Sequence, residues 1–196
     1  MTWRVALRRR TAIVSRWLHI YLSMVSFAIV LFFSVTGYTL NHTDWFAAKE
    51  QTIRSVGTIP QQWLKEPAKL EIVEQLRNQH KIHGAMSDFR VEDAQLSVSF
   101  KGPGYTADSF IDRETGKYEV IETRNGFVAV INDLHKGRDT GKVWSGVIDA
   151  SALLLVLVSF TGLILIFFVY KRRTAGLILV ALGGIFCVAL YKIFVP

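Results

Sequence analysis

Five histidines carry most of the chemistry this chain offers: His19, His42, His80, His83 and His135. Three of them stand at the ends of long apolar runs. His19 opens the first run, and His42 follows it by 23 residues, about 34 Å along a helix rising 1.5 Å per residue. His135 precedes the second run. If those two runs cross a bilayer antiparallel, His42 and His135 come level on one side. A low-spin haem iron takes two axial imidazoles, and a helical bundle can supply one from each of two helices. The site expected on this pattern is therefore haem b between His42 and His135. Tyr38, Trp45 and Trp144 would wall the ring, with Gly37 and Gly146 leaving room for it. Asp133 and Asp139 flank His135 and are expected to orient its imidazole by accepting the second N–H. His19 has no histidine opposite it on another run. It is left to pair with its own copy in a homodimer, with a partner membrane subunit, or with nothing. A plainer reading makes all three interfacial groups bonded to water, head groups or backbone.

The remaining candidates carry less. His80 and His83 fall at the end of a soluble helix, where solvated surface is expected; two such histidines without a third ligand make a weak metal site. Asp149 is the one acid inside an apolar run. Ser34, Thr36 and Tyr38 are its expected partners, and gluing helices together is its expected role ahead of proton relay. Gly183 and Gly184 suit close helix packing. Cys187 is the only cysteine, so the segment between the first two runs has no disulfide. There is no Walker loop, no Gly-x-Ser-x-Gly, no His-Glu-x-x-His and no Gly-rich dinucleotide fingerprint. Ser109 lacks the framework of a nucleophile. Any electron donor must bring its own cofactor or be a membrane quinol.

The elements that must hold these groups are legible in the apolar patterning. Three stretches of the 196 residues reach or approach the ~20 apolar residues a membrane helix needs: 18–40, 143–170 and 175–194. The first follows a basic leader, yet it outlasts the 7–15-residue core of about that length in a signal peptide and ends without a cleavage-like site. It reads as an uncleaved helix. The net charge of +7 resolves by segment: residues 42–142 carry 14 basic and 15 acidic side chains, and eight of the nine remaining basic residues lie before the first span or at 171–173. Cytoplasmic loops hold the Lys/Arg excess. The expected topology has residues 1–17 and the 171–174 loop inside, with 41–142 and the C-terminus outside. Trp17, Trp45 and Trp144 sit at span ends, as interfacial rings do. The basic balance is a topology signal and excludes nucleic acid as the implied partner; membrane lipid is the partner it implies.

Between the first two spans lies enough chain for one small domain. Residues 66–81 read as a helix, with Pro67 in its first turn and Leu70, Val73 and Leu76 on one face. "AQLSVSF" (94–100) alternates strictly, burying Leu96, Val98 and Phe100 on one side of a strand. "KGPG" (101–104) turns, and "TADSFIDRETGKYEVIE" reads as two strands joined at Thr115–Gly116. Residues 87–93 read as a further strand, and 44–65 as a connector without period.

"FIDRETGKYEVIE" after a helix resembles a PepSY domain. The flanking "RWLHIYLSMVSFAIVLFFSVTGYTLNH" and "NDLHKGRDTGKVWSGVIDASALLLVLVSFTGLIL" resemble the PepSY-associated transmembrane family of bacterial inner membranes. The likeness covers roughly residues 15–170. Its most specific parts are two Leu-His dipeptides and two Thr-Gly dipeptides, Thr36–Gly37 and Thr161–Gly162. The fold it implies is an α-helical membrane protein of three spans bearing a small α+β PepSY-like extracytoplasmic domain, a minimal version beside larger relatives with four or more spans. Some relatives are haem-containing reductases delivering electrons to ferric siderophores in the periplasm, with histidines near helix ends in places like those of His19, His42 and His135. The resemblance thus implies an electron-transfer subunit, a component of a ferric or siderophore reductase in the inner membrane. The alternatives are a non-catalytic tethered module that grips an exported protein or peptidase through an exposed edge such as 94–100, and an accessory subunit of a larger complex.

Overall fold

A computed structural model describes residues 3–46 and 50–196. Residues 1–2 of the basic leader and 47–49 of the connector lie outside the described residues. The chain divides into two compact units, residues 1–31 with 149–196, and residues 32–148.

The first unit is built from helices that are apolar on nearly every side. α1 (Trp3–Asn41) begins well ahead of the apolar run, since Arg4, Arg8, Arg9 and Arg10 are good helix formers that extend it toward the N-terminus. α5 (Gly141–Ile166) and α6 (Arg173–Phe194) are separated by a short break with one turn of 3-10 helix at Tyr170–Arg172. All three are long and apolar enough to cross a membrane. None of the most apolar window of α6 is buried within the chain. That is the pattern of a surface that lipid or another protein covers. Inside this unit the buried side chains are small and polar: Ser15, Ser26, Ser151 and Thr161. Small hydroxyl residues let helix backbones approach where apolar burial gives no advantage over lipid. The Arg8 guanidinium lies 5.0 Å from the Tyr170 ring centre and 5.9 Å from that of Phe168, tying the start of α1 to the α5–α6 break.

The second unit holds a five-stranded antiparallel sheet in the order β1-β5-β4-β3-β2. β1 is Gln51–Thr58, β2 Ala85–Val91, β3 Gln95–Gly102, β4 Tyr105–Asp112 and β5 Lys117–Arg124. The alternation in β3 sends Leu96, Val98 and Phe100 into the core, all fully buried, and leaves Gln95, Ser97 and Ser99 on the other face. Ala107 and Ile111 of β4, and Tyr118 and Val120 of β5, complete that face. α3 (Lys69–His80) covers it with Ile72, Val73 and Leu76, helped by Leu64 of the short α2 (Gln62–Lys65). At about 25 cal/mol per Å² of apolar surface, each such side chain contributes roughly 1.5–3 kcal/mol.

Several expectations need correction here. Ile72, not Leu70, shares the buried face of α3; Leu70 is 69% exposed. Pro67 lies ahead of the helix, which starts at Lys69 after Ala68. Residues 44–65 are no mere connector, because they hold β1 and α2. β1 is polar on both faces and exposed along most of its length, so no period marks it. Finally, 94–100 is not a sheet edge. β3 pairs with β2 on one side and β4 on the other, and the edges are β1 and β2.

A helix missing from the expectations precedes α5. α4 (Phe127–Lys136) follows the N-cap Gly126 and stops at Gly137, which takes φ +68°. Left-handed backbone continues at Asp139 and Gly141, so α4 cannot run on into α5. The β3–β4 turn meets α4 closely: Gly104 has φ +64°, and a Cβ there would lie 2.6 Å from Val130 Cγ2. Only glycine satisfies both conditions.

Candidate functional site

The two Leu-His and two Thr-Gly dipeptides are brought together crosswise. In the first unit, His19 of α1 rests on Thr161–Gly162 of α5. Its Nδ1 lies 3.1 Å from the Val158 carbonyl oxygen and 3.2 Å from Thr161 Oγ1. A carbonyl only accepts, so Nδ1 carries the proton and donates. Thr161 spends its own proton on the same carbonyl, at 2.9 Å. Gly162 is needed for the fit, since a Cβ there would stand 2.9 Å from His19 Cε1.

In the second unit, His135 of α4 rests on Thr36–Gly37 of α1. Its Nδ1 is 2.5 Å from Thr36 Oγ1, and its ring packs edge-on to Phe33 with centroids 4.9 Å apart. Thr36, fully buried, donates to the Phe32 carbonyl at 2.6 Å, so the imidazole N–H is again the donor to the hydroxyl. Gly37 leaves room, with 3.7 Å from a built Cβ to His135 Cε1.

α4 ties more than its histidine. Thr39 Oγ1 donates to Asn132 Oδ1 at 2.6 Å, and both side chains are buried. Asp133, also buried, accepts the Gly104 backbone N–H at 2.8 Å and pairs with Arg138, whose Nε donates at 2.9 Å. Trp144 Nε1 donates to the Leu134 carbonyl at 2.8 Å. α4 is therefore bonded to the β3–β4 turn, to the end of α1 and to the start of α5 through buried and half-buried polar atoms. The buried ones among them are expensive to leave unmade.

His42 stands elsewhere. It lies just past α1, its Nδ1 donates to the Tyr38 carbonyl at 3.0 Å, and its ring stacks between Tyr38 and Trp45 at 4.5 and 4.2 Å. Positions 36 and 38 are about 200° apart around a helix of 3.6 residues per turn. His135 thus occupies one face of α1 and His42 the opposite one. As arranged, the two imidazoles do not face each other across a macrocycle, and a bis-histidine haem between them does not fit. Each of the three rings does have Nδ1–H fixed to an oxygen, leaving Nε2 without a hydrogen bond among the described residues. That is how a ligating histidine is usually oriented, but no two such nitrogens are shown converging.

The other expected participants are also placed differently. Asp133 serves Gly104 and Arg138, so Thr36 orients His135 instead. Asp139 is exposed at φ +56°. Asp149 is exposed on α5 with no hydrogen bond among the described residues, and the expected partnership with Ser34, Thr36 or Tyr38 is not formed. Tyr38 and Trp45 wall His42 alone. Among the described residues, no three of His, Cys, Asp and Glu gather as a metal site.

In the sheet domain, Tyr118 donates to Gln79 at 2.9 Å and accepts from His80 Nε2 at 2.8 Å. Burial lowers the His80 pKa, against the opposing charge of Glu122. Burial likewise raises Tyr118. His83 is exposed, and its backbone N–H reaches the Tyr105 hydroxyl at 3.4 Å. The Asp112 carboxylate closes the β4–β5 turn on the Thr115 N–H and hydroxyl and the Glu114 N–H, which holds its pKa low.

The sequence pattern showed the four dipeptides but not that they pair crosswise. The signal was their shared order, Leu-His then Thr-Gly, on two runs expected to be antiparallel. Comparison with curated proteins and with solved structures finds no match. A family model described as "Putative PepSY_TM-like" matches residues 13–196, nearly the whole chain, including both dipeptide pairs and the sheet. With its apolar helices and its antiparallel sheet, this chain belongs to the PepSY_TM-like family of membrane proteins.

Proposed function

We propose that the chain is a membrane-tethered recognition module. In this reading it sits in the bacterial inner membrane with its N-terminus cytoplasmic, and its sheet domain and C-terminus periplasmic. The Lys/Arg distribution supports that orientation. The three long helices anchor, and the sheet grips an extended segment of an exported protein or peptidase at β1. The observation that carries it is the contrast between the two sheet edges. β2 is broken by a register shift between Met86 and Asp88. β1 pairs with β5 in unbroken register over all eight residues, and among the described residues no strand pairs with its outer edge. Bulged edges resist added strands, whereas a long regular edge accepts one.

Photo-crosslinkers placed at Arg54 and Val56 of β1 in the full-length chain should capture one exported partner in cells. Capture should be lost in Thr52→Pro and unaffected by replacing His19, His42 and His135. Equal capture from Ser97, in the middle of the sheet, would sink the assignment.

A second reading rests on the three oriented imidazoles. We propose it as a haem b subunit passing electrons outward to ferric iron or a siderophore, with the second axial ligand from another chain, a homodimer copy or a partner subunit. Protein purified from haem-replete cells would then show a Soret band that His19→Ala or His135→Ala removes. Colourless protein ends this reading and leaves the first untouched.

A further inference from the structure

The helical unit is lopsided in charge. Residues 1–31 and 149–196 hold nine basic side chains and a single acidic one, Asp149, near the start of α5. Arg8, Arg9 and Arg10 follow one another on α1, and Lys171, Arg172 and Arg173 stand at the break between α5 and α6. Arg8 faces that break, with its guanidinium over the Tyr170 and Phe168 rings. This contact sets a level: the Arg8–Arg10 turn lies beside the point where the apolar run of α5 gives way to charge. Where apolar helix surface meets a cluster of Lys and Arg, a bilayer has its head groups.

Successive helix residues turn by about 100°, so Arg10 projects from the side of α1 opposite Arg8. There it lines a cavity of about 560 Å³ together with Trp3, Leu7, Arg9 and Ile13, all exposed. Among the described residues no carboxylate pairs with Arg9 or Arg10. Two adjacent guanidinium groups without a counter-charge repel, and each presents a fork of donors that matches a phosphate. The lining is not that of a site for a simple anion, however. Trp3, Leu7 and Ile13 give it an apolar side, which suits an amphiphile carrying its charge at one end.

We propose that this cavity seats an anionic phospholipid. Its phosphate rests on Arg9 and Arg10, and its glycerol and first methylenes lie against Trp3, Leu7 and Ile13. A zwitterionic lipid brings a cation of its own and is held less. The site uses neither the β1 edge nor the histidines, so it stands apart from both functional readings.

The test uses delipidated full-length protein in maltoside detergent. It is titrated with short-chain phosphatidylglycerol, short-chain phosphatidylcholine, inorganic phosphate or polyglutamate, and followed by thermal shift and native mass spectrometry. Phosphatidylglycerol should raise Tm and stay bound, the others much less. A basic side chain near an anionic surface contributes about fivefold in affinity, so Arg9→Gln and Arg10→Gln should each weaken phosphatidylglycerol by about that factor. Lys192→Gln removes the same charge near the far end of α6 and should leave binding unchanged. Should a glutamine variant at 9 or 10 not fold, salt decides on the wild-type chain: about 0.5 M NaCl should erase the preference for phosphatidylglycerol over phosphatidylcholine. A preference that survives salt or both glutamine substitutions overturns the proposal, as does an equal loss in Lys192→Gln. Equal stabilisation by inorganic phosphate would make this a free-anion site, and tighter binding of polyglutamate a site for an acidic protein; either result overturns the lipid assignment.

Discussion

The two histidine seats use the same residues toward different ends. His19 on Thr161–Gly162 joins one apolar helix to another and nothing more. His135 on Thr36–Gly37 belongs to a helix that also holds the sheet, through Asp133 and Gly104, and α1 again through Asn132 and Thr39. The first seat is close-fitting and redundant in its acceptors. The second is looser at its glycine but has a single acceptor for Nδ1, within a buried polar network. A repeated motif therefore acts as a helix fastener in one place and as the attachment of a domain in the other.

Breaking the attachment should cost most. Asp133→Ala strands the Gly104 N–H and frees Arg138, a loss of about 2 kcal/mol in denaturation of the detergent-solubilised chain. No comparable single side chain serves the His19 seat.

The glycines should separate the seats next. Ala at 162 pushes into His19, whereas Ala at 37 meets ordinary contact. Gly162→Ala should be less stable than Gly37→Ala by about 1–2 kcal/mol in Tm-derived stability. Equal effects would mean the seats do not differ in fit.

The threonines give a finer contrast. Thr36→Val removes the acceptor of His135 Nδ1 and should cost about 1 kcal/mol. Thr161→Val leaves the Val158 carbonyl in place and should cost about half that. A reversed order would show that the carbonyl contact at His19 contributes little.

Smallest is a pH effect confined to the sheet. Burial lowers the pKa of folded His80 below its unfolded value. The unfolded chain then binds more protons as pH falls, so stability present above about pH 6.5 declines on acidification through that value toward the folded pKa. His80→Gln should flatten the dependence of the unfolding midpoint on pH between about pH 7 and 5. The bond to Tyr118 makes this local to α3 and β5.

Legibility followed periodicity. β3 announced itself because one face is wholly buried and the other exposed or half-buried, so Leu96, Val98 and Phe100 alternate with Gln95, Ser97 and Ser99. β1 did not, because an edge strand with little burial on either face has no reason to alternate. α4 was hidden by its polar buried side: Asn132, Asp133 and His135 look like loop residues until their partners are known. The expected His42–His135 pair came from depth alone. Depth in a membrane fixes height along a helix but not angle around it, and Tyr38 and Thr36 lie on opposite sides of the same rod. The crosswise pairing of Leu-His with Thr-Gly was within reach, since the same motif order on antiparallel segments places unlike ends together.

The bare edge of β1 has a consequence for the domain once cut free. Its hydrophobic core, from Ile59 to Val120, lies wholly within the stretch beyond the first span, so an excised 50–125 fragment would retain its packing. That fragment would tumble in every orientation and could zip strand to strand with its twin. It should therefore sediment as a concentration-dependent dimer or ladder, which a charged Val56→Lys would suppress. If the three apolar helices anchor the chain as proposed, they would restrict such mutual encounters to those the plane of the bilayer permits, and would act as an antisocial device as well as a leash.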